Sequence, residues 1–149
     1  MSHPTMILYM DTSAFVKMLV RETHSDEVRS WAEAAEAVAT SVITLPETTS
    51  AVARRLRAGE IGGADATRLR RSLAARWQET LRLIVDEERA AELAWRAGLR
   101  GMDAVQLAAA SVLRDAVGAD ELAFCAFDDR LSEAAAAEGL IVLEPCSPA

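Results

Sequence analysis

Short apolar runs alternate with longer amphipathic stretches along the chain. In the amphipathic stretches, apolar side chains recur three and four residues apart, as at Val28, Trp31 and Ala35, which is typical of helices packed on one face. This spacing predicts helices over residues 13–20, 24–37, 44–58, 65–78, 87–97, 102–114 and 129–138. The apolar runs lack polar alternation and predict buried strands over residues 6–10, 38–41, 81–85, 122–127 and 140–143.

The order of these elements predicts an α/β fold. Strands that alternate with helices form a mostly parallel sheet. A chain of 149 residues fits a single domain, 1–149, that buries its own core. No apolar stretch approaches the roughly 18 residues of a membrane span, and two cysteines with no secretion signal favour a reducing compartment, so we expect a cytoplasmic protein without membrane contact.

Positive charge is concentrated in one part of an acidic chain. The formal net charge is −7, yet seven arginines lie between residues 54 and 76 against only Glu60 and Asp65, so this segment carries +5 and the remainder −12. Because arginine binds phosphate through a planar set of donors, an Arg-rich helical arm at about 44–78 could hold the phosphates of a nucleic acid, with Arg54 and Arg55 as candidate contacts. Arginine also favours helices, so a solvated helical hairpin explains the same pattern.

Four acids stand where predicted helices begin: Asp11, Glu47, Asp103 and Asp128. Asp11 and Asp128 directly follow the first and fourth strands, and ligands of open α/β sheets bind beyond such strand ends. Each acid also fits a helix cap, and Thr44 with Glu47 matches a capping box. The spacing leaves both interpretations open for each acid alone.

Considered together, the four acids point towards a metal ion. Carboxylates gathered at one sheet edge would repel one another, and no Lys or Arg immediately flanks Asp11, Glu47 or Asp103. Protonation or a divalent cation would relieve that repulsion. A ligand set of oxygens, in a chain whose two histidines lack zinc-site spacing, favours Mg²⁺ or Mn²⁺. Spacing alone leaves the metal site and the separate caps about equally supported.

The sequence resembles the PIN-domain nucleases, most closely the VapC-type toxin ribonucleases of type II toxin–antitoxin systems. The resemblance spans nearly the whole chain, from ILYMDTSAFVKML to GLIVLE, and rests on DTSA, TLPETTSAVARR, GMDAVQLAAA and FCAFDDRL in that order. It implies a three-layer, PIN-like α/β/α fold with a central five-stranded sheet. It also implies metal binding by the four acids Asp11, Glu47, Asp103 and Asp128, with Ser13 supporting the site and Asp129 as an alternative to Asp128.

The same resemblance implies an activity and its partners. The expected reaction is Mg²⁺- or Mn²⁺-dependent endonucleolytic cleavage of RNA by an activated water, which leaves 3′-hydroxyl and 5′-phosphate ends. The expected partners are an RNA substrate, a cognate antitoxin whose C-terminal segment crosses the groove, and a second copy of the chain in a homodimer. Trp31, Trp77 and Trp95 are candidate anchors for these contacts, although each also fits a core or edge aromatic.

Several alternatives compete with this expectation. A PIN nuclease of RNA processing would need no antitoxin, and an inactive PIN-like module would only bind RNA or protein, although the presence of all four acids counts against the latter. A haloacid-dehalogenase phosphatase needs an acid where this chain has Ser13, and a receiver domain needs a late lysine, whereas the only lysine is Lys17. Ser13 has no histidine partner that would make it a nucleophile.

Overall fold

The computed structural model describes residues 6–145, so Cys146 and the first five residues lie outside the described part. Within it the strands are β1 Ile7–Met10, β2 Ala37–Ser41, β3 Leu81–Leu83, β4 Leu122–Cys125 and β5 Ile141–Val142. The helices are α1 Thr12–Leu19, α2 Ser25–Ala34, α3 Thr44–Arg57, α4 Gly63–Glu79, α5 Glu87–Ala97, α6 Gly101–Val117 and α7 Asp129–Ala137, with a 3₁₀ turn at Ala119–Glu121.

The five strands form one sheet in the order β3-β2-β1-β4-β5. Every pairing between them is parallel, with Ile7 opposite Ala37 on one side and Met10 opposite Cys125 on the other. The prediction of an α/β fold with a mostly parallel, five-stranded sheet is therefore confirmed. Since β1 and β4 are neighbours, the residues that follow them meet at one edge of the sheet.

Two element boundaries differ from the sequence prediction, and the first of them lies at this edge. Strand β4 ends at Cys125, two residues before the predicted end. The backbone N–H of Phe127 then donates to Ser13 Oγ at 3.1 Å, which ties the chain after β4 to α1. Helix α2 ends at Ala34, because Ala37 already pairs with Ile7 as part of β2.

Helices cover the sheet on both faces and create two apolar cores. On one face, Tyr9 and Phe124 stack with 5.6 Å between ring centroids beneath Leu107 of α6. On the other face, Phe15 of α1 meets Trp77 of α4 edge to face at 6.0 Å. This is the three-layer α/β/α arrangement, and within the described residues no helix is long and apolar enough to cross a membrane.

The Arg-rich segment forms the helical hairpin of α3 and α4. The two helices pack against each other and against α1, and a turn with Gly59 at φ 75° separates them. Ala66, Leu73 and Trp77 are buried, whereas the arginines are exposed or half-buried. Of the three tryptophans, Trp77 is a core residue, Trp31 is partly buried against the same core, and Trp95 of α5 is 88% exposed.

Candidate active site

A cavity of about 350 Å³ lies at the carboxyl edge of the sheet, and all four predicted acids line it. They come from four different segments: the end of β1, the first turn of α3, the first turn of α6 and the start of α7. The acids are Asp11, Glu47, Asp103 and Asp128, and the other lining residues are Thr12, Ser13, Met102, Gln106 and Phe127. No basic side chain is among these lining residues, so nothing in the wall neutralises the acids.

Asp11 is both a helix cap and a wall of the cavity. Its Oδ1 accepts hydrogen bonds from the Ala14 N–H at 3.0 Å and from Ser13 Oγ at 2.7 Å. Burial raises the pKa of Asp11 to about 6, the charges of Asp103 and Glu47 act in the same direction, and the two hydrogen bonds oppose them. The cap and site interpretations therefore do not exclude each other here.

Glu47 lines the cavity and does not take part in a capping box. Helix α3 begins after Ile43 with no side-chain cap, so the capping-box interpretation of Thr44 and Glu47 is wrong. The Thr44 hydroxyl is occupied by Gln106 and by Thr40, while Glu47 Oε1 accepts a hydrogen bond from Thr12 Oγ1 at 2.6 Å. Tertiary contacts thus replace the local hydrogen bonds that the sequence suggested.

Asp103 and Asp128 both line the cavity, and the charge of Asp128 acts on Asp103. Burial raises the pKa of Asp103, the negative charges of Asp128 and Glu47 raise it further, and Arg100 opposes the shift. Asp128 caps α7 by accepting the Leu131 N–H at 2.9 Å. Asp129, the alternative fourth acid, is exposed in the first turn of α7 and does not line the cavity.

The chemistry of these side chains fits a hard divalent cation. Within residues 6–145, no three Asp, Glu, His or Cys side chains converge into a ready-made ligand set. Four carboxylates nevertheless share one cavity, and burial, with a smaller contribution from mutual repulsion, raises the pKa of Asp11 and of Asp103. Oxygen ligands without sulfur or imidazole suit Mg²⁺ or Mn²⁺ better than zinc.

Three polar residues of this edge were missed by the sequence analysis: Tyr9, Thr12 and Gln106. Gln106 is only 3% exposed, and it bridges Tyr9 to Thr12 and Thr44 through hydrogen bonds. Burial raises the pKa of Tyr9, so its phenol remains a donor. A signal for Gln106 was present in the sequence, because it stands three residues after Asp103, on the same helix face, among alanines and leucine.

A larger groove of about 650 Å³ adjoins the cavity and shares Thr12, Ser13 and Glu47 with it. Arg54 lines this groove and donates to Ser50 Oγ at 3.1 Å. Arg55 instead lies 2.7 Å from Glu22, which also pairs with Lys17 at 3.1 Å. The two candidate RNA contacts therefore differ, since Arg54 lines the groove whereas Arg55 is paired with Glu22.

Comparison with known proteins places this geometry in a family. The family description PIN domain matches residues 8–137. Ribonuclease VapC49 of Mycobacterium tuberculosis (strain ATCC 25618 / H37Rv) is 32% identical over 136 residues, which cover 89% of this chain and 92% of that protein. Ribonuclease VapC46 of the same strain is 31% identical over 141 residues, covering 93% and 97%.

Two solved structures share the fold. Mycobacterium tuberculosis VapC20, described as a sarcin-ricin loop cleaving toxin, has a TM-score of 0.64 at 24% identity, covering 93% of this chain and 99% of that chain. PAE2754 from Pyrobaculum aerophilum has a TM-score of 0.64 at 19% identity, covering 95% and 92%. Four segments each contribute one acid at the edge where β1 and β4 end, and VapC relatives align over most of the chain. This chain therefore belongs to the PIN-domain family and, within it, to the VapC ribonuclease group.

Proposed function

We propose that this protein is a metal-dependent endoribonuclease that acts as the toxin of a type II toxin–antitoxin pair. The observation that carries the proposal is the shared cavity of Asp11, Glu47, Asp103 and Asp128, which no basic side chain lines. Membership of the VapC group supports RNA as the substrate, since the aligned relatives are named ribonucleases. A homodimer and a cognate antitoxin are part of the same proposal.

Asp11, Glu47, Asp103 and Asp128 would hold Mg²⁺ or Mn²⁺ in this cavity. When bound, the ion supplies a water of lowered pKa and offsets negative charge on the scissile phosphate. Asp128 stands in the set in preference to Asp129, because Asp128 lines the cavity and Asp129 does not. Ser13 supports Asp11 by donating to its Oδ1 at 2.7 Å while it accepts the Phe127 N–H.

The groove beside the cavity gives the RNA backbone a place to lie. Arg54 lines that groove, and the exposed arginines of α3 and α4 extend the positive surface beyond it. Guanidinium contacts of this kind position a phosphate backbone without reading its sequence, and they weaken as salt rises. Arg55 contributes more weakly in this scheme, because Glu22 is already its partner.

The test is cleavage of a labelled RNA by the purified full-length chain, with Mg²⁺, with Mn²⁺ and with EDTA. We expect cleavage only with the metals, and fragments with 5′-phosphate ends. The Asp11→Asn protein should fold and should not cleave, and undiminished cleavage by it would contradict the site assignment. Expression in cells, followed by mapping of RNA 5′ ends with and without Asp11→Asn, extends the test to natural substrates.

The toxin role needs a separate experiment. We expect expression of the wild-type chain to arrest growth, and co-expression of the product of a short neighbouring gene to restore it through a stable complex. The Asp11→Asn protein should form that complex without arresting growth. Cleavage in vitro without growth arrest, and without a partner, would favour a PIN nuclease of RNA processing.

A further inference from the structure

A buried series of hydrogen bonds leads from the core to Glu47. The Tyr9 hydroxyl donates to Gln106 Oε1 at 2.6 Å. Gln106 Nε2 donates to Thr12 Oγ1 at 3.2 Å and to Thr44 Oγ1 at 3.0 Å. Thr12 Oγ1 then donates to Glu47 Oε1 at 2.6 Å. Tyr9 and Thr44 are fully buried, so these groups have little competition from water.

The direction of each hydrogen bond is determined by its neighbours. Thr40 Oγ1 donates its single proton to the Met10 carbonyl at 2.6 Å, so Thr44 must be the donor in the 2.7 Å contact between Thr40 and Thr44. Thr44 therefore accepts from Gln106. Because both N–H groups of Gln106 Nε2 donate, its Oε1 is the atom left to accept from Tyr9.

Thr12 is the last donor of this series, and its hydroxyl proton is directed at Glu47. Its oxygen accepts from Gln106, so its own proton is free to go to Glu47 Oε1. The series thus supports Glu47 in one orientation at the cavity wall. The contact is a tertiary one, because Thr12 lies 35 residues before Glu47 and belongs to α1.

We propose that Tyr9, Gln106 and Thr12 are positioning residues, which hold Glu47 for metal binding through this directed series of hydrogen bonds. The inference rests on the proposed function, because it gives these residues a role in a metal site that Glu47 completes. Partners that orient a metal ligand change metal affinity by about 10–100-fold when they are removed.

The chain offers variants that separate this role from packing. Tyr9→Phe keeps the ring that stacks on Phe124 and removes only the hydroxyl. Thr12→Val keeps the branched shape but loses the proton given to Glu47, whereas Thr12→Ser keeps a hydroxyl there. Thr67→Val is a matched control, because Thr67 is exposed on α4 and bonds only within its own helix turn, to the Gly63 carbonyl at 3.0 Å.

The experiment measures Mn²⁺ binding to the full chain by electron paramagnetic resonance, in wild type, Asp11→Asn and the variants above. We expect Thr12→Val to raise the dissociation constant at least about 10-fold and Tyr9→Phe to raise it by less, while Thr12→Ser and Thr67→Val stay within about twofold of wild type. Thermal unfolding checks that each protein is folded. In the cleavage assay, the Mg²⁺ concentration needed for half-maximal rate should rise in the same order, with the RNA KM unchanged.

The outcomes separate this inference from the function on which it rests. If wild type binds Mn²⁺, Asp11→Asn does not, and both Thr12→Val and Tyr9→Phe bind like wild type, the positioning role is overturned while the metal site stands. Equal losses in Thr12→Ser and Thr12→Val would also overturn it, since the hydroxyl would then not matter. If wild type shows no binding that depends on Asp11, the proposed function falls, and this inference falls with it.

Discussion

The two ends of α6 place acids in opposite surroundings. At the N-terminal end, Asp103 faces a cavity whose other charged side chains are all acids. At the C-terminal end, Asp115 lies 2.8 Å from Arg89 Nη1 and 3.3 Å from Arg114 Nη2. The hydrogen bond from Arg89 lowers the pKa of Asp115, whereas burial and the charge of Asp128 raise the pKa of Asp103.

This difference separates acids that are matched with arginines from acids that share a cavity with other acids. Around Asp115 the helices α5, α6 and α7 are joined by opposite charges, including a pair between Arg96 and Glu138 at 2.8 Å. At the other end, four acids line one cavity that no basic side chain lines, and only the charge of Arg100, outside that lining, opposes the shift of Asp103. Like charges held together in this way oppose folding unless something else offsets them. Acids with raised pKa values in a cleft are therefore reasonable candidates for function, and acids matched with arginines are not.

The largest expected effect comes from exchanging one acid at each end of α6. Asp103→Asn should lower Mg²⁺-dependent RNA cleavage by about 100-fold or more, because it would remove one of the proposed metal ligands, and even residues that only orient ligands cost about 10–100-fold. Asp115→Asn, on the same helix, should leave the cleavage rate within about twofold of wild type. A comparable loss in both variants would mean that the contrast between the two ends does not report function.

A second prediction concerns the stability of the metal-free protein. The raised pKa of Asp11, about 6 against 3.8, means that the folded state holds this proton more tightly than the unfolded state. Stability should therefore fall as pH rises from about 4 to 6 and stay reduced above that, by up to about 3 kcal/mol. Asp11→Asn should remove this penalty, since its amide oxygen can still accept the Ala14 N–H.

Urea denaturation in EDTA at pH 4 and pH 8 measures this effect. The Asp11→Asn protein should be the more stable one at pH 8, with the difference shrinking towards pH 4. Asp115→Asn, whose acid has a lowered pKa, should show no such gain at pH 8. A wild-type protein that is more stable than Asp11→Asn at pH 8 without metal would contradict a net cost of burying the Asp11 carboxylate.

A third prediction compares how much divalent metal stabilises variants at the two ends of α6. Binding to the folded state alone stabilises a protein by about 2.7 kcal/mol when the ligand is present at 100 times its dissociation constant. Mg²⁺ or Mn²⁺ should raise the melting temperature of wild type and of Asp115→Asn by several degrees, and that of Asp103→Asn by much less. Equal shifts in all three proteins, measured by thermal unfolding, would place metal binding elsewhere.

The smallest expected effect is on RNA binding, and it compares two arginines of the helical arm with an arginine that pairs with Asp115. Combining Arg54→Ala with Arg55→Ala should weaken RNA binding and reduce its salt dependence by roughly one phosphate contact, since Arg54 lines the groove while Glu22 already pairs with Arg55. Arg89→Ala, which removes an arginine committed to Asp115, should leave the slope unchanged. Filter-binding titrations over a range of salt make the comparison, and equal slopes for the double variant and wild type would exclude the arm from RNA binding.

Sequence reasoning predicted the sheet well, and it named the four acids that line one cavity without deciding between a metal site and helix caps. The strands are local apolar runs, so the pattern along the chain was sufficient to identify them, and their alternation with helices implied the parallel order. The candidate acids could not be sorted from helix caps in the same way. Asp11 and Asp128 are caps as well as cavity residues, so the local pattern fitted both descriptions correctly.

The spacing of residues along the sequence could not predict the hydrogen-bond partners of the site. Thr44 and Glu47 matched a capping box, but Gln106, 62 residues further along the chain than Thr44, occupies the Thr44 hydroxyl. Tyr9 read as one more apolar strand residue, and its contact with Gln106 spans 97 residues. Such pairings depend on which side chains meet once the sheet is assembled, and no local periodicity records them.

The sequence by itself determined the alternation of strands and helices, the excess of acid at the helix starts and the concentration of arginine between residues 54 and 76. Those properties follow from the order of side chains, because backbone preference and apolar spacing act over a few residues. Only the tertiary structure decided that four acids share one cavity, that Asp128 and not Asp129 joins them, and that Arg54 and Arg55 have different neighbours. Charge interactions depend on distance in space, and that distance is set by the folded sheet.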